Sequence, residues 1–133
     1  MNDSADQTEA ARWEREASEE LRAAQVIAEH GEIPDRVAGF HAHLAAEKAM
    51  KALLIRNGVV LRRIHDLVEL QRLLPTSDGG EFDLADLELL NPWTIDGRYP
   101  ADIGDASPGE IAAAVEAAGR IVDIARNRST DPT

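Results

Sequence analysis

Apolar positions along the chain recur at spacings of three and four, and nowhere do they alternate as a half-buried strand would. From about Thr8 to Glu29, Trp13, Ala17, Leu21, Ala24 and Ala28 fall on one stripe. Glu14, Arg15, Glu19, Glu20 and Arg22 lie mostly elsewhere, which predicts an amphipathic helix behind a frayed polar tail over 1–8. Gly31 and Pro34 punctuate its end and set up a second helix from about Pro34 to Arg56. That helix is apolar round most of its circumference, with Val37, Ala38, Phe40, Ala42, Leu44 to Ala46, Ala49, Met50 and Ala52 to Ile55. Such a pattern belongs at the centre of a bundle, and its alanines let neighbouring helices approach closely. Asn57-Gly58 supplies the left-handed-tolerant stop expected just past a helix end.

Residues 58–63 form a short connection in which Val59, Val60 and Leu61 are either extended or packed as a loop. A third helix follows from about His65 to Leu74, with Leu67, Leu70, Leu73 and Leu74 as its apolar face. Asp66 and Glu69 have the spacing of a capping box, and Pro75 ends the helix. Ser77 to Gly80 reads as a loop, and Leu84 to Leu90 as a short helix closed by Asn91-Pro92. Residues 92–106 form a long irregular connection that holds Trp93 and the single tyrosine; connections of this length inside a domain often carry function. Ser107-Pro108-Gly109-Glu110 is a capping box with proline at the first helical position, opening a last helix to about Asn127. Ile111, Val115, Ala118, Ile121, Val122 and Ala125 share one of its faces, and the tail over 129–133 is expected to be disordered. The expected architecture is all-α, an up-and-down bundle of four to five helices, with one domain over 9–128.

Composition adds limits to this picture. At 133 residues the chain has the size of one domain with a real core, and 44% hydrophobic residues exclude disorder of the whole. There is no cysteine, which closes off disulfides and thiolate metal sites and agrees with a reducing, cytoplasmic setting. No apolar run is long enough to cross a bilayer, and the acidic, polar N-terminus does not read as a signal peptide. The net charge of −11 is unevenly spread: −5 over residues 1–20, +2 over 21–72 and −8 over 73–133. Broad binding to duplex nucleic acid is therefore not expected, since it requires many phosphates to be neutralised together. A compact anion site in the middle third is not excluded. Arg56, Arg62 and Arg63 cluster there, although on charge alone an arginine-rich exposed loop is the favoured explanation.

Three polar groupings are candidates for chemistry. His43, Glu47 and Lys51 line up at i, i+4 and i+8 on an otherwise apolar helix, with Lys48, His41 and Arg56 on the adjacent stripe. One reading is a Glu47–Lys51 pair within a seam that fixes bundle register or a dimer contact; the other is a polar lining for an anionic ligand. His41 and His43 are two apart on a helix and point away from each other, so they do not chelate one metal together. His65-Asp66 opens the third helix, where unpaired amides would attract an anion unless Asp66 caps them itself. Arg98-Tyr99-Pro100 places a stacking ring beside a guanidinium, or else a loop anchor beside an ion pair. No cysteine nucleophile, phosphate-binding glycine loop, His-Glu-x-x-His or dinucleotide turn is present.

Four segments occur together and in order. Phe40-His41-Ala42-His43-Leu44-Ala45-Ala46-Glu47-Lys48-Ala49-Met50-Lys51-Ala52-Leu53-Leu54, then Gly58, then His65-Asp66-Leu67, then Arg98-Tyr99-Pro100, resemble the small prokaryotic HEPN domain family. Its members typically show an aromatic residue, a pattern close to Gln-Ala-Ala-Glu-Lys-Ala-x-Lys-Ala-Leu, a glycine, His-Asp-Leu and an Arg-Tyr-Pro loop before the last helix. Trp13 in the first helix also fits, and the resemblance covers roughly residues 10–127.

The resemblance implies a helical bundle that commonly forms a homodimer. It is often encoded beside a minimal nucleotidyltransferase, in a two-component pair of the toxin–antitoxin kind. Active members are metal-independent ribonucleases with an Arg-x(4–6)-His motif near the start of the last helix or the turn before it. Here no histidine follows residue 65, so neither Arg98 nor Arg120 completes that motif. Arg36-x4-His41 has the spacing but sits in the second helix, where the family does not place it. The resemblance therefore implies a non-catalytic domain that binds a nucleotide or short RNA, or a nucleotidyltransferase, without metal or cofactor. The alternative is a ribonuclease toxin with a differently built site. Residue by residue, Glu47, Lys48, Lys51, His65, Asp66, Arg98 and Tyr99 match the family pattern and are the ligand-binding candidates. Each also has a structural reading, as buried ion pair, helix cap or loop anchor.

Overall fold

The computed structural model describes residues 3–93 and 107–130, and among them every regular element is a helix. The elements are α1 (Asp3–Glu29), α2 (Asp35–Arg56), α3 (Leu67–Leu73), α4 (Thr76–Gly79), α5 (Leu84–Leu90), a 3-10 turn (Asn91–Trp93) and α6 (Pro108–Thr130). α2 is the axis: α1 packs along one side and α6 along another, and α1 and α6 also touch. α1 and α2 are antiparallel, since Glu20, Glu16 and Glu14 meet His41, Lys48 and Arg56 in turn. From Asp78, beside Asn57 at the end of α2, the chain runs back to Trp93, which packs on Gly39 near the start of α2. α6 then returns to place Arg128 on Asp78.

The core is rich in alanine. Ala10, Ala17 and Ala24 of α1, Ala38, Ala42, Ala45, Ala46 and Ala49 of α2, and Ala114, Ala117, Ala118 and Ala125 of α6 are all buried. Small side chains let backbones approach, and Met50, Leu54, Leu67, Leu70, Leu87, Leu90 and Ile121 fill what remains. The closest approach is at Gly39, where an added Cβ would stand 2.6 Å from the Trp93 ring. The seam between α2 and the 3-10 turn therefore depends on that glycine.

The helix boundaries differ from the apolar pattern in instructive ways. α1 begins at Asp3 rather than Thr8, because acidic residues favour a helix N-terminus and no glycine or proline interrupts the segment. α3 starts at Leu67, with Asp66 as its cap, so His65 precedes the helix. Thr76–Gly79 winds into one helical turn where a loop was expected. Asp78 and Gly79 donate to the Pro75 carbonyl, and the Gln71 amide donates to the carbonyls of Gly79 and Phe82. At α6 the expected cap forms, with Glu110 N–H donating to Ser107 Oγ at 3.2 Å, but the helix runs on to Thr130. From residue 94 to 106 the long connection lies outside the described residues.

Candidate functional site on the second helix

His43, Glu47 and Lys51 form one row on α2, as the i, i+4, i+8 spacing requires, and all three are buried. Lys51 Nζ donates to Glu47 Oε2 at 2.9 Å and lies 5.9 Å from the centre of the Trp13 ring. Trp13 is held in turn by its indole N–H on Glu9, at 3.1 Å. From outside the helix, His65 Nδ1 lies 3.0 and 3.1 Å from the two Glu47 oxygens. A carboxylate only accepts, so that nitrogen carries the proton. The His65 backbone carbonyl accepts from His43 Nε2 at 2.9 Å. Glu47 thus joins a lysine from its own helix to a histidine from the following connection.

Donation from Nε2 fixes the neutral His43 tautomer with its bare Nδ1 3.6 Å from Glu47 Oε1. Burial pushes the His43 pKa down, the Glu47 charge and the His65 carbonyl oppose this, and the result is about 4. His43 is therefore a neutral, packed donor at neutral pH.

The adjacent row behaves differently. Lys48 reaches Glu20 at 2.9 Å and Glu16 at 3.1 Å, His41 Nδ1 reaches Glu20 at 2.7 Å, and Arg56 Nε donates to Glu14 at 3.0 Å. Every partner here comes from α1. Burial raises the Glu20 pKa, but the Lys48 and His41 bonds outweigh it and leave the carboxyl below its ordinary value. Lys48 also lines an open cleft of about 530 Å3 with Arg12, Arg15, Glu16, Glu19 and Glu20. His41 and His43 reach different elements, as their spacing predicts.

Asp66 occupies the α3 N-terminus itself. Its Oδ1 accepts from Val68 N–H at 2.9 Å and Glu69 N–H at 3.3 Å. The Asn91 amide donates to the same oxygen at 2.9 Å, while its carbonyl oxygen accepts from Leu67 N–H. Burial pushes the Asp66 pKa up, yet Asn91 and the two backbone amides hold it below the ordinary value. The capping reading of this motif is the one observed.

The structure thus brings Glu47, Lys51 and His65 into one network, with Asp66 fixing the next residue and Lys48 in a neighbouring cluster. Arg98 and Tyr99 lie outside the described residues. Sequence reasoning passed over Asn91, which reads as half of an Asn-Pro stop, and the α1 carboxylates, which read as a solvated face. It also passed over the Asp86–Arg120 fork, with bonds of 2.9 and 2.8 Å between α5 and α6. Among the described residues no group of three or more histidine, aspartate or glutamate side chains is placed to hold a metal ion, and no helix is long and apolar enough to cross a membrane.

Comparison with known proteins bears on the whole arrangement. A family model described as the HEPN domain matches residues 10–128. The crystal structure of TT1696 from Thermus thermophilus is similar at 25% sequence identity and a TM-score of 0.73, over 90% of this chain and 97% of that one. No curated protein matches the chain.

Proposed function

Because the chain belongs to the HEPN domain family, we propose that it is a non-catalytic HEPN-type domain acting as the interaction partner of a nucleotidyltransferase in a two-component system. The observation that carries this reading is the engagement of the family-pattern residues by the chain itself. Glu47 and Lys51 are buried in a pair, Lys48 is bonded to two carboxylates, and Asp66 caps α3. The buried pair and the cap serve the bundle's own packing, while Lys48 bonds to α1 at the edge of an open cleft. The late Arg-x-His motif of the ribonuclease members has no histidine to complete it, since the last histidine is His65.

A nucleotide is the second ligand class for this domain. Its binding would fall to Lys48, at the open cleft, and to His65, Arg98 and Tyr99, rather than to the buried pair. Homodimerisation accompanies the reading, as it does in much of the family.

Co-expression with a nucleotidyltransferase encoded beside this chain tests the proposal. Co-elution in size exclusion with light scattering is expected, and two separate peaks would overturn it. Expression of the chain alone should leave host growth unchanged. Growth arrest relieved by His65→Ala would instead favour a ribonuclease with a differently built site. Thermal shift against a nucleotide panel reads the ligand directly, through concentration-dependent stabilisation.

A further inference from the structure

The connection from Gly58 to Asp66 is fastened at both ends, and its far end carries His65, bonded to Glu47 and His43, whereas the stretch from Val60 to Arg63 lies largely on the surface. Gly58, with a φ of 74°, closes α2: its N–H donates to Ile55 O at 2.9 Å and that of Val59 to Leu54 O at 3.0 Å, the paired bonds of a Schellman motif. At the far end Asp66 caps α3 and Asn91 braces it. Between these anchors Val59, Leu61 and Ile64 pack against the core, whereas Val60 is 81% exposed and Arg62 and Arg63 are also exposed. Inward and outward positions alternate over 59–62, which is the period of extended chain.

Among the described residues nothing accepts a hydrogen bond from the backbone N–H of Val60, Leu61 or Arg62. The next turn bond is Ile64 N–H to Arg62 O, at 2.8 Å. Nor does any described carboxylate pair with the guanidinium of Arg62 or Arg63, although the chain carries a net charge of −11. Lys48, Lys51, Arg56, Arg120 and Arg128 are engaged. Arg15, Arg22, Arg36 and Arg72 likewise have no described carboxylate partner, but only Arg62 and Arg63 stand side by side in the sequence. Among the described residues, the segment therefore combines three backbone N–H groups without an acceptor, an outward valine and two arginines without a carboxylate, on a support fastened at both ends.

We propose that residues 59–63 are a docking edge for an extended acidic segment of a partner protein. That segment would lie alongside as an added strand, exchanging both backbone hydrogen bonds with Val60 and accepting from the N–H of Arg62, whose carbonyl already serves Ile64. Its carboxylates would meet Arg62 and Arg63, and an apolar side chain would cover Val60. A second copy of this chain fits poorly, because two such edges would bring arginines against arginines. A nucleic acid fits poorly too: the edge offers an aliphatic side chain and two cations, and the acidic remainder of the chain repels a polyanion. The inference deepens the partner reading above and rests on it.

Panning a displayed library of short random peptides against the full chain tests the edge. Enriched peptides should alternate acidic with β-branched or other apolar residues. Binding should slow hydrogen exchange at the amides of Val60 and Arg62. The double variant Arg62→Glu/Arg63→Glu should weaken binding by about tenfold or more. Val60→Asp should also weaken it, and neither variant should change thermal stability, since the side chains are exposed. An unselective library, binders indifferent to these variants, or an oligouridine that outcompetes them would overturn the edge. If the nucleotidyltransferase complex forms and Arg62→Glu/Arg63→Glu leaves it intact, the edge falls and the partner reading stands. If acidic peptides bind here but no such complex forms, the edge stands and the nucleotidyltransferase reading falls.

Discussion

The two polar rows of α2 hold the same kinds of residue and use them differently. In the inner row, His43, Glu47 and Lys51 find their hydrogen-bond partners on their own helix and at His65, with Lys51 also against the Trp13 ring of α1 and almost no access to water. In the outer row, His41, Lys48 and Arg56 find theirs only on α1, at side chains between 16% and 45% exposed. The inner row ties the connection after α2 back onto the helix that precedes it. The outer row fixes which turn of α1 faces which turn of α2. Desolvation makes the first costly to disturb, and solvent screening makes the second mild.

The sharpest way to break this contrast is to remove Glu47. Glu47→Ala leaves the Lys51 ammonium buried without its carboxylate and removes the acceptor for His65. A loss of about 3–5 kcal/mol is expected from urea denaturation. Glu47→Leu/Lys51→Met should recover most of it, because a buried pair replaced by apolar groups is often neutral. A loss from Glu47→Ala no larger than that from Glu16→Ala would mean the inner row is not a desolvated unit.

Acid reads the same row without mutation. The folded His43 pKa, about 4, lies below the ordinary 6.5. The unfolded chain therefore takes up this proton first as the pH falls. The stability contributed is fully present above 6.5 and is lost progressively as pH falls through 4. A gap of this size corresponds to about 3 kcal/mol. His43→Gln keeps a donor near the Nε2 position and removes the titration. Its denaturation midpoint should vary less than that of the parent chain between pH 6.5 and 4.

Much of this was legible in the sequence. The all-round apolar character of the second helix placed it at the centre, and the i, i+4, i+8 spacing placed His43, Glu47 and Lys51 on one row. The Ser107 and Asp66 caps follow from local rules that hold without tertiary context. What could not be read were partners supplied from far along the chain. Glu14, Glu16 and Glu20 look like a solvated face until α2 is laid against them, and Asn91 looks like a helix stop. The extent of α1 was missed because apolar periodicity does not register a helical turn that buries little. The exposure of Val60 depends on how the connection is fastened at Gly58 and Asp66, which composition does not encode.

A smaller loss separates the connection from the rows it joins. Asp66→Ala removes an N-cap and the Asn91 bond together and should cost about 1–2 kcal/mol. It should also loosen His65 against Glu47. A His65 imidazole resonance that broadens in this variant, while the His41 resonance stays sharp, would show that the cap positions the inner network from outside. Two unchanged resonances would mean that the cap plays no part in positioning His65.

The smallest effect is expected in the outer row, and it tests whether that row is electrostatic at all. Lys48→Met keeps the aliphatic stem against α1 and removes the charge that Glu16 and Glu20 share. The loss should be no more than about 1 kcal/mol, because the carboxylates retain access to water. It should shrink as salt is added, while the Glu47→Ala loss should not. The Glu20 carboxyl, held low against burial by Lys48 and His41, should titrate higher in the variant. That carboxylate contributes stability above its ordinary pKa of about 4.5 and loses it as pH falls through the lower folded value, so the variant should keep less of this contribution at neutral pH. Salt-insensitive destabilisation with an unchanged Glu20 titration would assign Lys48 to packing, and the two rows would then differ in burial but not in kind.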